Sequence, residues 1–275
     1  MTIKSRNRIL LIFFAVSLLL LITTLGQFIF AALHSGITPP ENTVRTIEAF
    51  DNAGPFKYDF KAVIIGIFAF SIYVSSVSII IYANFEKTQS IEIIYFALFL
   101  LGCLTESIRI LLAEFDLWQT YSKLLITAGK IIIAGRILTP LSLFFAGTFS
   151  ETSQRQNVER NIILLIVVSI GLGFLYPLNT LETTSTCAVL WAYPKLFVTV
   201  RIFIFLSAIA CMFFNAITNN SKEMLRSTIG CILLIIGYLF LISCDCYFNL
   251  SFGAALMIAG TFLYLRSVHL IYMWN

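Results

Sequence analysis

Residues 91–149 decide the fold, and they read IEIIYFALFLLGCLTESIRILLAEFDLWQTYSKLLITAGKIIIAGRILTPLSLFFAGTF. They form two apolar segments joined by a short, more polar turn at 114–122. A helix that spans a bilayer needs about 20 mostly apolar residues, and each segment meets that requirement. Both segments nevertheless contain ionisable residues: Glu106, Arg109, Lys130 and Arg136. Placing an Asp, Lys or Arg at the middle of a spanning helix costs ~2.5–3.5 kcal/mol, so such residues usually face the bundle interior and pair.

The composition of the whole chain is that of an integral membrane protein. Hydrophobic residues make up 59% of the 275 residues and charged residues only 12%, whereas soluble domains have about 25% charged residues. The net charge of +4 is modest. Because the sequence has no long basic tract and no recognised nucleic-acid module, we expect no nucleic-acid partner. The composition predicts an all-α fold, a polytopic transmembrane helix bundle surrounded by membrane lipid.

Polar segments divide the chain into eight predicted spans. They are 9–33, 62–84, 91–113, 124–149, 161–181, 196–218, 227–247 and 250–273. The predicted organisation is a cytoplasmic stub and anchor helix at 1–33, a short extracytoplasmic connector at 34–61 and a seven-helix core at 62–275. The alternative for the first span is a signal peptide, but its apolar run of about 25 residues exceeds the usual ~7–15-residue signal core. The boundary between the last two spans is the least defined, since only 248–249 separate them.

Lys and Arg in the loops predict the orientation, because short cytoplasmic loops of membrane proteins are enriched in these residues. With the N-terminus in the cytoplasm, eight Lys and Arg lie on the inner side and five on the outer side. Every inner loop then contains at least one of them. We therefore expect both termini in the cytoplasm and the protein in the cell membrane of a bacterium.

The depths of the intramembrane charges predict a shared layer in the outer half of the bundle. A helix rises ~1.5 Å per residue. Glu106 lies seven positions from the outer end of its span, Lys130 six positions from the outer end of the next one, and Arg201 five positions into the sixth. Relative to this layer, Arg109 is one turn nearer the outer surface, Asp245 lies at the outer end of the seventh span, and Arg136 is deeper.

These charges form the candidate ligand-binding set: Glu106, Lys130, Arg201, Arg136, Arg109 and Asp245. Their formal charges sum to +2, and a surplus of buried positive charge favours an anionic partner. The hypothesis is an outward-open cavity that binds a small anion carrying a carboxylate, sulfonate or phosphate. In the structural alternative, Glu106 pairs with Lys130 or Arg201 only to hold helices together, Arg109 extends to the interface and Asp245 is solvated.

Motifs for catalysis or metal binding are missing from the sequence. The two histidines, His34 and His269, are predicted on opposite sides of the membrane. There is no His-Glu-x-x-His helix and no Gly-x-Ser-x-Gly elbow. We therefore expect no catalytic residues, no metal site and no cofactor, and the protein is not predicted to be an enzyme.

Three segments carry a resemblance to a receptor family. They are YFALFLL at 95–101, TESIR at 105–109 and RILTPLSLFF at 136–145. With seven helices that run from outside to inside, the chain resembles the bacterial seven-transmembrane receptors with diverse intracellular signalling modules over about 62–273. Its extracytoplasmic part is much shorter than a carbohydrate-binding-like sensor domain, and we find no kinase or cyclase output module. The resemblance implies that the bundle senses a ligand and signals through a separate partner protein.

The predicted function is therefore a multi-pass, receptor-like membrane sensor for a small anionic ligand, acting through an unidentified signalling or complex partner. Two alternatives remain open. One is a small transporter or permease subunit for an anion or a proton-coupled solute. The other is a structural subunit of a membrane complex.

Overall fold

A computed structural model describes residues 3–34, 43–44, 56–86, 90–115, 123–149 and 158–273. These residues form a helix bundle with a small sheet at one end. The helices are α1 (Ile3–His34), α2 (Phe60–Phe85), α3 (Glu92–Thr105), α4 (Arg109–Glu114), α5 (Lys123–Thr148), α6 (Val158–Leu175), α7 (Pro194–Thr218), α8 (Lys222–Ile242) and α9 (Tyr247–Met273). The strands are β1 (Thr43–Val44), β2 (Leu178–Thr184) and β3 (Val189–Trp191). We call the end of the bundle that carries the strands the sheet end, and the other the opposite end.

In the described part of the chain, eight helical segments are long and apolar enough to cross a membrane. One of them, Glu92–Glu114, consists of α3 and α4, which a 3-10 turn at Glu106–Ile108 joins. The predicted all-α helix bundle is therefore confirmed, and these eight segments have the length and composition that membrane spans require.

The predicted end of the fifth span is wrong. The sequence predicts this span at 161–181, but α6 ends at Leu175 and residues Leu178–Thr184 form β2. Pro177 lies between the two elements. A proline lacks a backbone N–H and disfavours helical conformation in the residue before it, so Pro177 ends the helix. The apolar sequence continues past this point, which is why hydropathy alone places the end of the span too late.

The predicted gap between the last two spans is also misplaced. The turn falls at 243–246 rather than at 248–249, because α8 ends at Ile242 and α9 begins at Tyr247. The Asn249 side-chain amide donates to Ser243 O at 3.3 Å and to Asp245 Oδ1 at 3.0 Å. These bonds close the turn from within the first residues of α9.

A three-stranded sheet in the order β1-β2-β3 lies at the sheet end. β2 and β3 are antiparallel, with Leu178 opposite Trp191, and β1 is parallel to β2, with Thr43 opposite Thr183. The predicted connector at 34–61 thus contributes a strand, although 35–42 and 45–55 lie outside the described residues. The strands are a feature that helix-length hydropathy does not predict.

α8 and α9 pack with their backbones in direct contact. A Cβ atom on Gly237 would lie 2.5 Å from Met257 N, and one on Gly260 would lie 2.5 Å from Leu234 N. Without a hydrophobic driving force between helices in lipid, close approach through small residues is the usual way in which membrane helices associate. The two glycines therefore join these helices into one unit.

Polar contacts attach α1 to α2 at the opposite end. Arg6 Nη2 donates to Phe85 O at 2.5 Å, and Asn7 Nδ2 donates to Glu86 O at 2.8 Å. The accepting carbonyls lie at the C-terminus of α2, where a cation also interacts favourably with the helix dipole. These contacts join the predicted anchor helix to the seven-helix core.

Candidate functional site

The carboxylate of Glu106 is buried between two arginines. Arg136 donates from Nε and Nη2 to Oε1 and Oε2 of Glu106 at 2.6 and 2.9 Å. Arg109 Nε lies 3.0 Å from Glu106 Oε2. The three side chains are at most 3% exposed. One carboxylate thus holds two guanidinium groups in a region where an unpaired charge would be strongly unfavourable.

The 3-10 turn at Glu106–Ile108 brings Glu106 and Arg109 together. A 3-10 helix has about three residues per turn, so side chains three positions apart lie directly above one another. Here the turn places Arg109 directly above Glu106, and these two side chains form the ion pair. The tighter turn therefore aligns the ion pair along one face of the helix.

Arg136 reaches Glu106 because α3 and α5 approach closely beside it. A Cβ atom on Gly102 would lie 2.8 Å from Gly135 O, and one on Gly135 would overlap Thr105 Oγ1. Each helix thus has a glycine at the point of closest contact with the other helix. The short distance between the helices lets the Arg136 side chain bridge them.

The predicted pairing of Glu106 with Lys130 or Arg201 is wrong, since Arg136 and Arg109 take that position. Along the helix axes, Arg136 lies about five residues deeper than Glu106, or ~7.5 Å. Side chains of a helix lean towards its N-terminus, and α3 and α5 run in opposite directions. The two side chains therefore lean towards each other, which a comparison of backbone depths does not include.

Lys130 stabilises a helix end instead. Its Nζ donates to Phe174 O and to Tyr176 O, both at 2.6 Å. These carbonyls lie at the C-terminus of α6, where orphan acceptors and the helix dipole both favour a cation. Lys130 is six residues from Arg136, and a helix turns by ~100° per residue, so the two side chains face different neighbours.

Arg109 is buried rather than extended to the interface. Its side chain is 1% exposed, and Nη1 donates to Thr186 O and Ile242 O, both at 3.2 Å. The guanidinium carbon also lies 5.9 Å from the centre of the Phe70 ring. Arg109 therefore connects Glu106 to the β2–β3 turn and to the C-terminus of α8.

Arg201 is the fourth charged residue of this region and has unsatisfied donors. The residue is 8% exposed, and its Nε and Nη1 atoms are buried without a hydrogen-bond partner. It interacts electrostatically with Tyr238, Arg136 and Glu106, but unlike Arg109 and Arg136 it forms no ion pair within 4.0 Å of the Glu106 carboxylate. We call Glu106, Arg109, Arg136 and Arg201 the arginine cluster. The cluster contains one carboxylate and three guanidinium groups, which leaves a formal surplus of two positive charges.

Asp245 lies in the turn between α8 and α9. Its Oδ1 accepts from Asn249, and its backbone carbonyl accepts from the Asp59 N–H at 3.0 Å. A carboxylate beside the first turn of α9 also interacts favourably with that helix's dipole. In the structure Asp245 therefore organises the turn.

Three further contacts complete the surroundings of the cluster. Arg136 lies over the Trp191 ring, 5.1 Å from its centre. Thr139 donates to the Tyr238 hydroxyl at 3.0 Å, and the Ser71 and Ser107 hydroxyls are 2.6 Å apart. The hydroxyl pairs could have been suspected from the sequence, because their residues are polar and lie inside predicted spans. No such signal exists for Trp191, because its strand is not predicted.

Cys187 lies in the turn between β2 and β3, near Arg109 of the arginine cluster. Its side chain is 1% exposed. Burial raises the pKa of the Cys187 thiol to about 12, and the nearby charge of Arg109 opposes this shift only in part. The residue has a positive φ of 57°, a conformation that non-glycine residues adopt mainly in tight turns.

Comparison of the chain with protein-family models, with curated proteins and with solved structures found no match. The resemblance to the bacterial seven-transmembrane receptors therefore stays a prediction. Among the residues that the structure describes, no three or more His, Cys, Asp or Glu side chains are grouped to hold a metal ion.

Proposed function

We propose that this chain is a multi-pass, receptor-like protein of a bacterial cell membrane that binds a small anion at the arginine cluster. Arg201 is the observation that carries the proposal. A guanidinium group that is 8% exposed and has two unsatisfied donors is costly to bury. A carboxylate, sulfonate or phosphate beside it would accept those hydrogen bonds and offset the positive surplus.

The contacts of the cluster suggest how binding would change the protein. An anion near Arg201 and Arg136 competes with Glu106 for the Arg136 donors. Glu106 also holds Arg109, which bonds to Thr186 O in the β2–β3 turn and to Ile242 O at the end of α8. A shift of Glu106 would therefore reach α8, whose other end would present the signal to a separate partner protein in the cytoplasm.

The test is binding of simple anions to the purified full chain. We expect sodium acetate, sulfate or phosphate to raise the melting temperature in detergent relative to sodium chloride at equal ionic strength. Arg201→Met should abolish that increase because it removes the unsatisfied donors. Lys130→Met is the matched control, since Lys130 is an intramembrane cation outside the cluster, and it should keep the response. Equal responses of the two variants, or no response of the native chain, would contradict the proposal.

A transporter is the second candidate, and the 3-10 turn at Glu106–Ile108 favours it. Transport proteins often bind substrates where a spanning helix departs from regular α-helical geometry. Reconstitution into liposomes separates the candidates. A receptor binds the anion without moving it across the membrane, whereas a transporter shows flux that Glu106→Gln reduces. A structural subunit would show neither binding nor flux.

A further inference from the structure

A cavity lies between α2 and α9, and no residue of the arginine cluster lines it. Its volume is about 770 Å³, within the ~300–1,000 Å³ range of small-molecule sites. The walls are mainly aliphatic and aromatic. Four of the wall residues are also 45–63% exposed to the surroundings: Ile72, Ile80, Ile258 and Phe262. The cavity is therefore a groove that opens sideways, towards the acyl chains of a surrounding bilayer.

Among the described residues that line the groove, basic side chains lie at one end only. Arg266 and His269 line it near the C-terminus of α9, at the opposite end of the bundle, together with Asn84 of α2. His269 Nδ1 is buried without a hydrogen-bond partner. None of the described residues that line the groove is acidic. The groove thus combines an apolar length with a cationic end.

The middle of the groove offers few free polar groups. The Tyr73 and Thr261 hydroxyls lie 2.6 Å apart and satisfy each other, and Thr261 also donates to Met257 O at 2.7 Å. A guest in the middle of the groove would therefore meet a largely apolar wall. This pattern matches an amphiphile whose polar group is confined to one end.

We propose that the groove binds one acyl chain of an anionic phospholipid, with the phosphate beside Arg266 and His269. On α2 the lining residues run from Ala69 to Phe85, a length of ~24 Å. One leaflet of the hydrocarbon core is ~15 Å thick, so a single acyl chain fits along the groove. Basic pockets between helices on the cytoplasmic side are known to bind anionic head groups. The site is separate from the arginine cluster and does not depend on the proposed anion receptor.

The charge requirement can be tested by lipid photo-crosslinking. The full chain is reconstituted in nanodiscs with phosphatidylglycerol or phosphatidylcholine that carries a diazirine in the acyl chain, and crosslinked peptides are mapped by mass spectrometry. We expect phosphatidylglycerol to label the groove about five-fold more strongly. Arg266→Gln should remove this preference. Lys222→Gln, which changes an exposed cation at the same end outside the groove, should preserve it.

The groove itself can be tested by filling it. Ser76 is an exposed small residue of the groove wall, so Ser76→Phe should reduce labelling of α2 and α9 by phosphatidylglycerol at least five-fold. Ala259→Phe adds a ring to an exposed position of α9 outside the groove and should leave labelling unchanged. Equal labelling by both lipids, undiminished labelling of Ser76→Phe, or crosslinking of a co-purified protein at the groove instead of lipid would overturn the proposal. Circular dichroism and melting temperature verify that each variant is folded.

Discussion

Glu106 has two buried arginine partners, Arg109 and Arg136. Among the described residues, no other carboxylate lies within 4.0 Å of either guanidinium group. Removing one partner of a buried ion pair is costly, because the remaining charge has no water to solvate it. The cost should be larger still when one carboxylate serves two cations. Electrostatics at this residue should therefore dominate the stability of the bundle interior.

Glu106→Gln should lower the free energy of unfolding by about 3–5 kcal/mol, since Arg109 and Arg136 remain buried without a counter-charge. Thermal unfolding of the purified protein in detergent measures the effect. Glu223→Gln is the control. It breaks the Glu223–Arg226 pair, whose side chains are 30% and 61% exposed, and it should cost at most about 1 kcal/mol. Similar losses in the two variants would show that Glu106 is not held as described.

The Cys187 thiol should react slowly with maleimides in the folded protein. Thiolate is the reactive form, and raising the pKa from the usual 9.0 to about 12 lowers its fraction at pH 7.5 roughly a thousand-fold. The rate should increase with pH and rise sharply on unfolding. Peptide mass spectrometry of Cys187 measures it, with Glu182→Cys on the exposed part of the same hairpin as the fast-reacting reference. Equal rates at the two positions would contradict the burial of Cys187.

At the level of elements, the contact between α3 and α5 decides which charges meet. Gly102 and Gly135 let the helices approach until side-chain atoms of one touch the backbone of the other. In lipid this close packing supplies van der Waals contact that replaces the hydrophobic effect. The ion pair and the glycine contact are therefore parts of one interface.

Gly135→Ala should destabilise the protein by about 1–3 kcal/mol, because the added Cβ overlaps Thr105 and pushes α3 from α5. Gly171→Ala is the matched change in α6, where a Cβ meets nothing within 4 Å. That control should be neutral, or stabilising by at most about 1 kcal/mol through helix propensity. Melting temperatures compare the two. A neutral Gly135→Ala would mean that the helices do not approach as closely as the structure shows.

For the whole molecule, loop charges predict an orientation in the membrane that can be measured directly. We predict that the sheet end faces outside. In intact cells a membrane-impermeant maleimide should label Glu182→Cys at the sheet end. Lys222→Cys at the opposite end should be labelled only after permeabilisation. The reverse pattern would invert the orientation and would place the arginine cluster in the inner half of the bundle.

Much of the architecture can be predicted from the sequence, because length and hydropathy act locally. Eight apolar segments become eight helices of membrane length, and the intramembrane charges can be identified from their positions within those segments. The errors fall where local signals compete. The apolar run past Leu175 hides a strand, and the turn at 243–246 contains only two polar residues, Ser243 and Asp245, between long apolar segments.

The sequence by itself determined that the chain forms apolar helices and that several of them contain charges needing partners. Only the tertiary structure decided that Arg136 rather than Lys130 pairs with Glu106. The physical reason is that pairing depends on the rotation of each helix, on the lean of its side chains and on the close approach at Gly102 and Gly135. These quantities arise between helices, so the position along a single helix could not reveal them. The same packing leaves Arg201 buried with unsatisfied donors.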